Sequence, residues 1–273
     1  MMKKIKLTVS LVVYKPDIVV LSKTLNCLHA GINPELFIVT LYIIDNSCDV
    51  GWREKIQACL ASAFPMIDNI TSEFIVSSDN VGYGQANNLA IEKIDSDYHL
   101  ILNPDVFIYQ DTLPQAIAYL EQHPEVGLLT PAVFGEDAQQ HYLCKRNPTL
   151  FIMFLRSFAP LFIKNLFKNY LLKFEMRDCD YSKIIKNYPF PTGCFMLFRT
   201  QILQEIKGFD SDYFMYMEDA DIGRRALQVS ETVYLPIVKI IHKWERGSHK
   251  NAKLRWIAIK SAFIYWRKWG GLF

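Results

Sequence analysis

Through the first half of the chain, continuous apolar runs alternate with segments whose apolar residues recur every three or four positions. Leu7–Tyr14 is rich in β-branched residues and reads as a buried strand, and Ile18–Leu28 follows with helical spacing. The same pairing recurs as Phe37–Ile44 with Trp52–Ala61, as Glu73–Ser77 with Gly84–Ile94, and as Tyr98–Leu102 with Thr112–Glu121, where Asp111 is placed as the N-cap. Val126–Phe134 closes the series as a further strand. Such alternation predicts an α/β fold with a Rossmann-like, mostly parallel sheet and helices on both faces. Ligands of such sheets sit beyond the carboxyl ends of the strands, and there the chain is polar: Asp45-Asn46-Ser47, Ser77 through Gly82, and Asn103-Pro104-Asp105. Turn chemistry favours these residue types in any single loop. Three loops in register, each with an acid, point to a site.

The second half has a different texture. Residues 151–174 are aromatic and aliphatic, with Arg156, Lys164, Lys168 and Lys173 recurring and Pro160 dividing the segment in two. Core-packing helices or a mobile lid would account for it, as would an interfacial basic segment lying on a bilayer. Gly193–Arg199 reads as a strand, Gln201–Ile206 as a short helix closed by Gly208, Thr232–Leu235 and Ile237–Ile241 as short strands leading to His242, and Ala252–Trp269 as a last helix. Among these elements, Glu218, Asp219, Asp221, Arg224 and Arg225 crowd behind Phe214, Met215, Tyr216 and Met217. Carboxylates beside so much apolar surface lose water, which raises their pKa and suits them to proton transfer or ion binding. An ordinary salt-bridged helix with acids in its first turn would show the same letters.

Charge and cysteine content narrow the classes. The 30 Lys and Arg against 28 Asp and Glu leave a net +2, which gives no argument for nucleic acid. From Lys239 to Phe273, however, nine Lys or Arg face one acid among four tryptophans, a composition that suits an anionic membrane surface or nucleic acid alike. Six cysteines without a CxxC pair indicate neither a zinc site nor a disulfide framework, and reduced, mostly buried thiols are expected. Lys15-Pro16-Asp17 ends the short apolar run Leu7–Val13, which is read as a first strand and not a signal peptide. With no run near the ~18 apolar residues of a spanning helix, a cytosolic or peripheral protein is expected.

In order along the chain stand VSLVVYKP (9–16), IIDNS (43–47), NVGYGQANN (80–88), LILNPDV (100–106), PTGCFMLFR (191–199), GFD (208–210) and MEDADIGRR (217–225), followed by His242 and Ser248. By these motifs the chain resembles the family 2 glycosyltransferases, inverting enzymes with the GT-A nucleotide-sugar fold, and within them the rhamnosyltransferase-like branch. The resemblance implies one glycosyltransferase domain over 1–273, with a nucleotide-sugar half (1–135), an acceptor and catalytic half (136–248) and a basic aromatic C-terminal helix (249–273). It implies that Val13, Tyr14 and Asp45 hold the nucleoside, a carboxylate being able to accept a pyrimidine ring N–H. Asn80, Gly82 and Asn87 would wrap the donor, Gly82 by letting the backbone approach closely. Asn103-Pro104-Asp105 resembles the family's DxD element but departs at its first acid, so Asp105, with His242 downstream, would hold Mg²⁺ or Mn²⁺ on the donor diphosphate.

The resemblance also divides roles within the acidic motif. Asp219 would be the general base for the acceptor hydroxyl, Glu218 and Asp221 supporting groups, Asp221 on the acceptor side with Gly193 and fixing the acceptor or the helix, and Arg225 a partner of the departing diphosphate together with the metal. Arg224 is read as a surface or structural residue. The implied donor is dTDP-L-rhamnose, with UDP-hexoses, UDP-galactofuranose and other dTDP-sugars open. The implied acceptor is a polyprenyl-diphosphate-linked oligosaccharide of O-antigen or capsule synthesis. It would be met by a peripheral enzyme on the cytoplasmic face of the cell membrane, through Phe151–Phe174 and Lys253–Trp269, with no nucleic acid involved. A nucleotidyltransferase would need a Gly-rich basic phosphate loop near the N-terminus, and a processive synthase a Q-x-x-R-W element; neither is present. A non-catalytic nucleotide-binding protein on a membrane surface is the non-enzyme alternative.

Overall fold

Both faces of the first strand are covered, which is why it lacks polar alternation: β1 (Ile5–Val13) is buried at every position from Leu7 onward. The computed structural model describes residues 3–243 and 252–271. After β1 come α1 (Ile18–Gly31), β2 (Phe37–Asp45), α2 (Val50–Ala63), β3 (Ile70–Val76), α3 (Tyr83–Ile91), β4 (Tyr98–Leu102), β5 (Val106–Ile108), α4 (Thr112–Gln122) and β6 (Val126–Phe134). Then follow β7 (Gln140–His141), α5 (Leu150–Ser157), α6 (Leu161–Leu166), α7 (Lys168–Phe174), β8 (Ile185–Lys186), β9 (Phe195–Arg199), α8 (Thr200–Glu205), α9 (Glu218–Val229), β10 (Glu231–His242) and α10 (Ala252–Trp269).

The sheet runs β3-β2-β1-β4-β9-β6-β10-β5. Its first four strands are parallel, as the alternation implies. Beyond them β9 enters antiparallel between β4 and β6, so strands from both halves of the chain share one core. The strands read as Thr232–Leu235 and Ile237–Ile241 are one, β10, whose register against β6 breaks between Leu235 and Lys239 around Pro236, where the ladder lacks an N–H. Asp17 caps α1 through bonds from the Val19 and Val20 amides. Asp111, placed as a cap of α4, makes no capping bond; its carboxylate accepts from the Gln115 side chain at 2.7 Å.

Residues 151–174 form three short helices instead of two, with Pro160 preceding the second. Their inner side belongs to the core: Ile152 and Phe174 pack with Phe190, Tyr213 and Tyr265. Their outer side leaves Phe154, Phe158, Leu161, Phe162 and Leu166 exposed. The segment is core and surface ridge at once. Trp244 and Ser248 lie outside the described residues.

Helix α9 starts abruptly. Tyr216 and Met217 both take left-handed backbone, at φ 71° and 69°, a conformation that costs a residue with a side chain roughly 1–2 kcal/mol. Inside α9, Asp221 is fully enclosed. It accepts from Arg225 Nε at 2.7 Å, Lys268 Nζ at 2.8 Å and Trp269 Nε1 at 2.8 Å, which ties α10 to α9. Replacing Asp221 by Ala leaves the Arg225 guanidinium and the Trp269 indole N–H without their carboxylate, while Lys268 keeps Asp210. The variant is expected to lose about 3–5 kcal/mol of stability in urea unfolding, and an unchanged midpoint would contradict the clamp.

Candidate active site

The sheet register brings distant residues together at the carboxyl ends of the strands. Val13 pairs with Asp45, and Asp45 with Val76, so three loops leave the sheet side by side. At the other edge β5, a three-residue strand that sequence patterning does not reveal, pairs antiparallel with β10 and sets His242 opposite Val106. That register puts the His242 Nε2 3.3 Å from Asp105 Oδ1. These loops and the acidic turn enclose a cleft of about 1150 Å³.

On the first-half side the cleft is lined by Tyr14, Asn46, Asn80, Gly82, Asn103 and Asp105. Asn46 is the hub here. Its amide donates to Asn80 Oδ1 at 3.0 Å and to the Gly82 carbonyl at 3.2 Å, and its oxygen accepts from the Val81 amide at 3.1 Å. Gly82 has φ 87°, and a Cβ there would stand 1.9 Å from the Phe214 carbonyl oxygen. The close approach that calls for glycine is thus to the acidic turn. Tyr83 then donates its amide to Phe214 O at 3.0 Å and its hydroxyl to Gly193 O at 2.8 Å.

Val13 and Asp45 lie beneath this surface, both fully buried, while their neighbours Val12 and Asn46 reach the cleft. Asp45 accepts from the Ser47 amide at 2.9 Å, and its second oxygen is enclosed with no hydrogen bond, 3.9 Å from Arg53 Nε. Asn87 does not line the cleft. It is buried between Ser10, whose hydroxyl donates to it at 2.6 Å, and the Tyr83 carbonyl, and it anchors α3 to β1. Arg225 and Asp221 are likewise turned away from the cleft, because their i,i+4 spacing pairs them on the face of α9 that meets α10. Neither is placed to touch a diphosphate or an acceptor.

Glu218 and Asp219 do line the cleft. The Gly193 amide donates to Asp219 Oδ2 at 3.3 Å, and the Ala220 amide to Oδ1 at 2.9 Å. Burial raises the Asp219 pKa, opposed by Lys145 and by the Gly193 bond. Burial and then the Asp219 charge push Glu218 up to about 8. Near neutral pH Glu218 is therefore mostly protonated, while the bonds from Gly193 and Ala220 and the Lys145 charge favour the ionised form of Asp219, and carboxyls whose surroundings differ in this way suit acid–base chemistry. Sequence reading did not find Asn46, Tyr83, Lys145, Arg156 or Arg177 as cleft residues. Asn46 lay in a polar strand end already noted, whereas Lys145 follows no periodic pattern.

Asn103 Oδ1 and Asp105 Oδ1 are buried with no hydrogen-bond partner. Burial disfavours charge on His242, but Cys194 and Asp105 outweigh it and push the ring up to about 10. The Asn103 oxygen and the Asp105 carboxylate, the latter ion-paired with His242, are hard donors that fit a divalent cation, and His242 would join them as a ligand only without its ring proton. Among the described residues no group of three or more His, Cys, Asp or Glu stands ready for a metal, so these side chains alone make an incomplete shell.

An α/β sheet with strand-end loops around a polar cleft is the architecture of the GT-A glycosyltransferases. The chain matches the glycosyltransferase-like family 2 over residues 14–257, and it belongs to that family. It is 29% identical over 202 residues to the rhamnosyltransferase WbbL of Escherichia coli K12, a match spanning 70% of this chain and 72% of that protein. It is 23% identical over 176 residues to the N-acetylglucosaminyl-diphospho-decaprenol L-rhamnosyltransferase of Mycobacterium tuberculosis, spanning 60% of this chain and 56% of that protein. Among solved structures, the mannosyltransferase PcManGT of Pyrobaculum calidifontis with GDP-mannose and Mn²⁺ superposes with a TM-score of 0.61 at 15% identity, covering 90% of this chain and 59% of that one.

Glu218 carries a pH signature. Its folded pKa lies above the ordinary 4.5, so between about 4.5 and 8 the folded protein holds a proton that the unfolded chain has released. Its contribution to stability therefore falls as pH rises through that window and levels off above it. Glu218→Gln removes this loss and is expected to gain on the order of a few kcal/mol over wild type at pH 9 relative to pH 4 in denaturant melts. An equal difference at both pH values would contradict it.

Proposed function

We propose that this chain is an inverting, metal-dependent rhamnosyltransferase. It would move L-rhamnose from dTDP-L-rhamnose to a hydroxyl of a polyprenyl-diphosphate-linked oligosaccharide in the synthesis of bacterial surface polysaccharide such as O-antigen or capsule. The observation that carries the reaction class is one cleft that holds the Glu218–Asp219 pair together with Asn103, Asp105 and His242. Rhamnose is supported by the two named relatives, and the lipid-linked acceptor by the decaprenol-linked substrate in the name of the mycobacterial one.

In this reading Asp219 accepts the proton of the acceptor hydroxyl as its oxygen attacks the anomeric carbon from the face opposite the diphosphate. The C–O bond to the diphosphate breaks in the same displacement, which inverts the anomeric centre. Glu218, protonated, adds no second negative charge beside the base. The Gly193 amide fixes the Asp219 carboxylate. Asp105, His242 and the Asn103 amide oxygen would hold Mg²⁺ or Mn²⁺, which when bound neutralises charge on the leaving diphosphate. Among the described residues, the Lys and Arg side chains that line the cleft are Lys145, Arg156, Arg177 and Lys243, and Arg225 is not one of them.

Two experiments test the reading. Asp219→Asn is expected to cut transfer roughly 10²–10⁴-fold while keeping the thermal shift given by dTDP-L-rhamnose with Mn²⁺. Normal turnover would remove Asp219 from the reaction, and a larger shift with UDP-sugars would move the donor assignment to them. The second concerns the membrane. Phe154, Phe158, Leu161 and Phe162 on one segment, and Trp256 and Phe263 on α10, are exposed next to basic residues such as Lys164. No helix among the described residues is long and apolar enough to cross a membrane. Lys253 has no described side chain. The protein is expected to pellet with anionic liposomes at low salt and to be released as salt rises, and failure to pellet would end the membrane-surface assignment.

A further inference from the structure

Charge is distributed unevenly around the cleft. Among the described residues, the segments up to the end of β6 line it without a Lys or Arg, whereas the excursion between β6 and β9 contributes Lys145, Arg156 and Arg177. Each of these rests on an aromatic ring. Lys145 Nζ is 4.3 Å from the centre of the Phe190 ring, the Arg156 guanidinium 5.4 Å from that of Phe174, and the Arg177 guanidinium 4.5 Å from that of Tyr142. Phe174 and Phe190 meet edge to face with centres 6.3 Å apart, so Lys145 and Arg156 flank one aromatic pair. Glu175 takes Arg177 at 2.9 Å. Lys145 and Arg156 form no ion pair among the described residues.

Two cations held near each other on apolar rings repel, and Lys145, the more enclosed of them, also loses hydration. Burial, then Arg156, draw the Lys145 ammonium down to about 8. An anion between them would relieve both effects. Their position along the cleft indicates which anion. Arg156 stands on α5, whose outer side exposes Phe154 and which leads into the exposed Leu161 and Phe162 of α6. At the other end, Lys145 lies near enough to Asp219 for their charges to act on each other. The cations thus lie between an apolar ridge and the candidate base.

We propose that Lys145, Arg156 and Arg177 form a phosphate subsite for the acceptor. It holds the phosphate or diphosphate that joins saccharide to lipid, with the lipid along the α5–α6 ridge and the attacking hydroxyl at Asp219. The inference rests on the glycosyl-transfer reading and adds which part of the acceptor is recognised and by which side chains. An amphiphile with an anionic joint between tail and sugar matches the sequence of surfaces: apolar, cationic, then carboxylate.

Binding tests this without transfer. With the donor site filled by dTDP and Mn²⁺, farnesyl diphosphate is titrated calorimetrically into wild type, Lys145→Gln, Arg156→Gln and Arg177→Gln, with Lys145→Arg as the charge-keeping control. Farnesyl diphosphate is expected to bind wild type alongside dTDP. Each Gln variant should weaken it about tenfold or more, Lys145→Arg should retain most of the affinity, and dTDP affinity should change less than about twofold throughout. Displacement of dTDP by farnesyl diphosphate, or loss of dTDP affinity in the Gln variants, would assign these cations to the donor diphosphate and overturn the proposal. Equal affinity in wild type and variants, or none in wild type, would overturn it as well. Arg156 and Arg177 are exposed, so their variants decide the question even if Lys145→Gln fails to fold. Failure here, with Asp219→Asn still inactive, would leave the transfer reading intact.

Discussion

The site depends on one close approach of backbone to backbone. Gly82, at φ 87°, lies so near Phe214 that any Cβ would fall 1.9 Å from its carbonyl oxygen. Through that contact the strand-end loops of the parallel half are fastened to the turn that carries Glu218 and Asp219. Tyr83 extends the connection, its amide reaching Phe214 and its hydroxyl Gly193. Gly193 in turn donates to Asp219. A larger residue at position 82 would part the two halves of the cleft before it altered any surface a ligand touches, so the glycine acts on geometry and not on affinity alone.

Once the halves are joined, burial sets the chemistry. Glu218 and Asp219 are neighbours at the start of the same helix, yet they differ in what surrounds them. Asp219 receives the Gly193 and Ala220 amides and faces Lys145, while an oxygen of Glu218 is enclosed with no partner. Desolvation raises both, but only at Asp219 do a lysine and neighbouring amides oppose it. The cations of the cleft are subject to the same rule. Arg225 is neutralised by Asp221 and engaged in holding α10, so the positive side chains that do line the cleft are Lys145, Arg156 and Arg177 of the excursion between β6 and β9, with Lys243 after β10.

The parallel half was legible because buried strands are written as unbroken apolar runs and the helices between them keep their spacing. The insertion of β9 was not, since a five-residue strand carries no mark of which neighbours it will take. Strand β5 is shorter still, and with it the meeting of Asp105 and His242 was out of reach of pattern alone. Candidate residues fared according to how local their signal was. Glu218, Asp219, Asn80 and Asp105 stand at element ends and do line the cleft. Asp221 and Arg225 are separated from it by an i,i+4 pairing visible in the letters, whereas the family resemblance implies a task for them at the site. Lys145 depends on the folding of an aperiodic loop against Phe190, which only the assembled core defines.

Helix α10 joins two demands that composition alone had merged into one. Its basic aromatic character suggested a surface for lipid, yet Ser261, Tyr265 and Trp269, four residues apart in succession, face inward. Ser261 donates to the Met215 carbonyl at 2.7 Å, next to the left-handed pair Tyr216 and Met217. Tyr265 is fully buried, and Trp269 reaches Asp221. Trp256, Ile259 and Phe263 occupy the other side, exposed. Since two adjacent left-handed residues with side chains do not hold their shape unaided, the inward face of α10 is part of what keeps Asp219 in place. The packing of α10 and the geometry of the carboxylate pair are therefore not independent.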